Sequence, residues 1–65
     1  SRARSILQDR IYQSCHHYLK LGYIDTSGLK NLEYLYKSYH ALGGNGTGTE
    51  LYNRAKALPI KDNDN

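Results

Sequence analysis

Four side chains in this sequence are of types that bind metal: Cys15, His16, His17 and His40. Zinc takes thiolate and imidazole ligands, but consecutive residues on a helix point about 100° apart, so Cys15, His16 and His17 cannot converge on one ion. Cys15 is expected instead as a small buried core residue, and the histidines as partly exposed ones. The stretch Gly22–Asp25, GYID, is similar to the second half of a calcium-binding loop. Counting Gly22 as the sixth loop position puts His17, Leu19 and Leu21 where carboxylates belong, and Gly28 where a bidentate glutamate belongs, which excludes that chemistry. The glycine-rich stretch Gly43–Thr49, GGNGTGT, lets backbone amides approach a phosphate, yet it lacks the lysine and following hydroxyl of a nucleotide-binding loop, and no strand precedes it. The amides of Gly48, Thr49 and Glu50 remain candidates for one backbone phosphate, with a plain turn before a capped helix as the competing reading. Asp9, Asp25, Glu33 and Glu50 are scattered, without the pairing that acid and base roles need. No enzyme, metal or cofactor is expected.

The cations are more informative. Nine Lys and Arg stand against six Asp and Glu, a net charge of +3, and the isoelectric point is about 9.1. An unpaired basic surface draws phosphate, acidic partners or anionic lipid, and counterion release makes nucleic acid the strongest general partner. Arg2, Arg4 and Arg10 crowd the first turns, Lys20, Lys30 and Lys37 follow, and Asn53, Arg54, Lys56 and Lys61 lie on or just past the last helical segment. A short third helix with a polar, basic outer face is the kind of element that helix-turn-helix proteins lay against DNA, and a solvated face is the alternative. The aromatic set is seven Tyr with no Phe or Trp. Tyrosine carries a polar tip, which suits the edge of a core or an interface. Tyr23, Tyr34 and Tyr52 are alternatively placed to stack bases of a single strand.

Three elements must position these groups. Ile6, Leu7, Ile11, Cys15, Tyr18 and Leu19 recur at helical spacing and predict a helix over Ser5–Leu21, stopped by Gly22 in the left-handed cap position. Asp25, Thr26 and Ser27 are capping residues, and Leu29, Leu32, Leu35, Tyr36, Tyr39 and Leu42 predict a second helix over Thr26–Leu42. The glycine stretch then forces a reversal. Thr47 and Glu50 have the spacing of a capping box, predicting a third helix that carries Leu51, Tyr52, Ala55 and Leu58 and ends before Pro59.

At 65 residues the chain makes one domain. A core of that size rarely supplies more than about 3–5 kcal/mol, and one cysteine cannot form an internal bridge, so a homodimer is the expected support. The lone cysteine suits a reducing compartment. No methionine is present, so the chain is expected to be cut from a longer protein, and the polar KDNDN ending to be that protein's C-terminus. No apolar run approaches the ~18 residues of a membrane span.

The residues 22–58, GYIDTSGLKNLEYLYKSYHALGGNGTGTELYNRAKAL, carry a resemblance. The whole chain resembles the C-terminal functional domain of the membrane-anchored early proteins that organise DNA replication in protein-primed Bacillus phages. This implies an all-α, compact, homeodomain-related three-helix domain over residues 1–61, a flexible tail over 62–65, and a six-helix intertwined homodimer. It implies, further, that dimers assemble side by side on single- or double-stranded DNA without sequence preference. The intact protein would sit on the cytoplasmic face of the host membrane, held there only by a segment absent from this chain. On that reading Asn53, Arg54, Lys56 and Lys61 contact phosphates, with Lys37 and Arg10 as further contacts, while Leu51, Tyr52, Leu58 and Ile60 pack in the dimer. The segment LYNR (51–54) matches the homeodomain aromatic-x-Asn-x-Arg pattern only loosely, so backbone contact rather than groove insertion is implied.

Overall fold

The structure, a computed structural model, describes residues 1–62. Its three helices are α1, Arg2–Leu21, α2, Thr26–Ala41, and α3, Thr47–Lys56. α1 begins three residues before the predicted Ser5 because the Ser1 hydroxyl accepts a hydrogen bond from the Arg4 amide at 3.2 Å, which caps the extra turn. It stops where expected. Gly22 takes φ 84°, and its amide donates to the Tyr18 carbonyl at 2.8 Å.

α2 is capped by Asp25, whose Oδ1 accepts from the Gly28 amide at 2.9 Å. A second carboxylate reaches the same helix end from far along the chain. Asp62 Oδ1 accepts from the Thr26 amide at 2.7 Å, and its Oδ2 accepts from the Thr26 hydroxyl at 2.6 Å. Of the tail predicted at 62–65, Asp62 is therefore tied to α2, and 63–65 lie outside the described residues.

The capping box predicted at Thr47 is not formed. α3 already includes Thr47 as its first residue, Gly46 is the cap, and no side chain bonds to the free amides there. The Glu50 amide is satisfied by the Gly46 carbonyl at 3.0 Å. The glycine turn, rather than a hydroxyl, sets the start. At the other end α3 stops at Lys56, two residues before the predicted Leu58, and Pro59 holds the following backbone out of the helix. That backbone instead runs alongside the α1–α2 loop: the Ile24 amide donates to the Pro59 carbonyl and the Lys61 amide to the Ile24 carbonyl, each at 3.0 Å. Ile24 and Ile60 thus form a parallel bridge between two segments that the periodicity left as plain loops.

α1 packs against both other helices, over a core of Ile11, Cys15, Ile24, Leu32, Tyr39, Leu51, Tyr52 and Ala55. Among the described residues no polar or charged residue is buried. Cys15 is fully enclosed, and burial pushes its thiol up to about 11, so it is protonated and unreactive at neutral pH. The chain is elongated, 41 × 18 × 15 Å, because α1 alone spans about 30 Å at 1.5 Å per residue. No helix among the described residues is long and apolar enough to cross a membrane.

Candidate functional site

All nine basic side chains are exposed, so position rather than burial distinguishes them. An open groove of about 710 Å³ lies between α2 and α3, lined by Glu33, Tyr34, Tyr36, Lys37 and His40 from α2 and by Tyr52 and Lys56 from α3. Glu33, Tyr36, Lys37 and His40 fall at i, i+3, i+4 and i+7, which places them on one stripe of α2. Tyr52 and Lys56, at i and i+4, form the matching stripe of α3.

The floor of the groove is a pair of stacked rings. Tyr36 and Tyr52 lie 4.1 Å apart at an interplanar angle of 3°, and the Tyr36 hydroxyl shares a 2.9 Å hydrogen bond with the Thr49 hydroxyl. Tyr39 and His40 pack obliquely against Tyr36, with centroids at 6.2 and 5.9 Å. Lys56 Nζ sits 5.2 Å from the centroid of the Tyr52 ring, a cation–π contact that leaves the ammonium in solvent. Burial holds the Tyr52 phenol above its usual value, and the Glu33 carboxylate and Tyr36 add in the same direction, so it is a neutral hydrogen-bonding group at physiological pH. Tyr34 is 67% exposed, the most open of the large hydrophobic side chains among the described residues, and forms one lip. Two ammonium groups against one carboxylate leave the groove cationic. Aromatic faces flanked by lysines suit flat, anionic ligands.

Of the residues the sequence nominates for phosphate contact, the groove gathers Lys37 and Lys56. Asn53 lies one turn before Lys56 on the same side of α3, whereas Arg54 is about 200° around the helix from Lys56. Lys61 is elsewhere, its Nζ 5.3 Å from the Tyr23 ring centroid. Arg10 lines a separate polar cleft between α1 and α2 with Asp9, Gln13, Ser14 and Asn31. Two of the six line the groove. Of the three amides considered for a phosphate at the start of α3, that of Gly48 belongs to a residue buried under the Tyr39 ring and that of Glu50 donates to the Gly46 carbonyl.

Of the residues nominated for a dimer, Leu51 and Tyr52 are 7% and 8% exposed within the single chain. They belong to its own core. Leu58 is half-buried and Ile60 is 54% exposed. Glu33, Tyr36 and His40 were not nominated for binding, although their shared period with Lys37 is readable; what hides them is that Tyr36 also fits the apolar stripe of α2. Among the described residues no three of His, Cys, Asp and Glu gather into a metal-binding group.

No family model, no curated protein and no solved structure matches this chain.

Proposed function

We propose that this chain is a DNA-binding module that reads no sequence, engages single and double strands through phosphate contacts, and acts as a homodimer that oligomerises on DNA. The observation that carries the reading is the α2–α3 groove, in which Lys37 and Lys56 from two helices flank a stacked tyrosine pair. Exposed cations over the rest of the surface supply the sequence-independent attraction of a phosphate backbone. The resemblance adds the biological setting: a homeodomain-related domain that organises phage DNA replication at the host membrane, binding rather than catalysing. A charge of +3 per chain is small for holding DNA, which favours several copies sharing one strand.

The dimer takes one of two forms on this reading. An intertwined six-helix dimer requires Leu51 and Tyr52 to exchange their own-chain core for the partner's, whereas two copies docked as they stand use Ile60 and the open edge of Leu58.

Titration of labelled oligonucleotides of unrelated sequence at two salt concentrations tests the proposal. Affinity falls steeply with salt and is indifferent to sequence; replacing Lys37 and Lys56 by Gln lowers the logarithmic salt slope by about 0.7–0.9 per lysine lost. Binding that ignores salt, or no binding, overturns it. The exposed Ile60 and Leu21 favour a second reading, a protein-interaction module with a basic face for an acidic partner. Such a module self-associates yet leaves DNA unbound. A helix-turn-helix regulator, using the exposed Asn53 and Arg54, instead prefers one site over scrambled competitor.

A further inference from the structure

The groove holds more than the phosphate contact that the proposed function needs. Lysines alone serve a phosphate backbone, and seven other exposed cations lie outside the groove. What sets the groove apart is its aromatic lining: three tyrosines of seven, two of them locked face to face.

From this geometry, and resting on the DNA-binding reading above, we infer that the α2–α3 groove is a subsite for an unpaired nucleobase, which stacks on the open Tyr34 ring above the Tyr36–Tyr52 floor while its flanking phosphates meet Lys37 and Lys56. The Tyr36–Tyr52 pair is held by packing and by the Tyr36–Thr49 hydrogen bond, so the floor is preorganised. Tyr34 offers an open ring at the lip. The Lys56 ammonium, 5.2 Å from the Tyr52 ring centroid, stays exposed and within reach of a phosphate at the rim. Glu33 in the wall repels a phosphate from the interior and accepts hydrogen bonds from amino or imino groups on a base edge, which sets the polarity of entry: base inward, phosphates at the rim. In a duplex both faces of each base are already covered by stacking, so duplex DNA reaches only the lysine heads.

The test compares three labelled ligands of equal length by fluorescence anisotropy at one salt concentration, using the whole chain: a mixed-sequence single strand, a single strand of abasic sites, and a duplex. The abasic strand keeps the phosphates and removes the rings. The inference expects the base-bearing strand to bind about tenfold tighter than the abasic one, the size of one or more base–aromatic stacks. It expects Tyr34→Leu to erase most of that difference, Tyr34→Phe to keep it, and neither to change duplex affinity or the salt slope. Because Tyr34 is exposed, both variants retain the wild-type melting temperature. Equal affinity for the base-bearing and abasic strands overturns the subsite while leaving salt-dependent DNA binding intact. A Tyr34→Leu loss shared equally by the duplex overturns it as well. No binding to any of the three overturns both this inference and the function beneath it.

Discussion

Asp62 is a single residue whose effect depends on being ionised. Its carboxylate accepts from both the hydroxyl and the amide of Thr26, and these bonds hold its pKa below the ordinary 3.8. A folded-state pKa below the unfolded one means that the contribution to stability is complete above about 3.8 and is lost as pH falls through the lower folded value. Thermal melts of Asp62→Asn and wild type are therefore expected to differ at neutral pH and to converge at strongly acidic pH. A difference that persists in acid would assign the effect to packing instead. Gly44 acts through space rather than charge: a Cβ built there collides with the Tyr39 ring, which is buried and fixed by its hydroxyl donating to the Asn45 carbonyl at 3.0 Å. Gly44→Ala is expected to cost about 1–3 kcal/mol in a urea titration, the usual penalty of overpacking. The role of Asp62 is not visible in its own neighbourhood of the sequence, since it acts on a helix end 36 positions away.

At the scale of the helices, the two N-termini make opposite forecasts. α2 is held by a side-chain cap from Asp25, so Asp25→Ala is expected to destabilise by about 1 kcal/mol. α3 has the sequence of a capping box at Thr47 and Glu50 but no side-chain cap, so Thr47→Ala is expected to stay within about 0.5 kcal/mol of wild type. Chemical denaturation of the pair measures both. The end of α1 and the extent of α2 were legible because apolar period, Gly22 and Asp25 act within one or two turns, whereas the first turn of α1, capped by Ser1, was missed. The start of α3 was misread for a physical reason. A capping box needs Thr47 outside the helix, and the Gly46 backbone, at φ 78°, lets the helix begin one residue sooner.

For the molecule as a whole, the small core decides how much change can be absorbed. Leu32 is 1% exposed, and Leu32→Ala is expected to cost about 2–5 kcal/mol, comparable to the ~3–5 kcal/mol that a core of this size supplies. The variant is expected to be largely unfolded when dilute. If a dimer supports the fold, its melting temperature will rise with protein concentration; a melting temperature independent of concentration argues for a self-sufficient monomer. The groove belongs to this scale too. Its lysines were found from charge alone, and Tyr34 and Tyr52 from their type, but Tyr36 was assigned to a core stripe because periodicity reports that a side chain faces inward without reporting what it meets there.

By itself the sequence determined an all-helical chain of three segments, their approximate ends, the burial of Cys15 and the excess of exposed cations. Those properties follow from interactions between residues a few positions apart and from the cost of burying charge. Only the tertiary structure decided that Tyr36 stacks on Tyr52, that Lys37 and Lys56 share a groove while Arg10, Arg54 and Lys61 do not, and that Asp62 closes the start of α2. Each of these depends on how the helices and the Ile24–Ile60 bridge cross in space, and a one-dimensional pattern carries the direction of each side chain from its own helix axis but not the angle between axes.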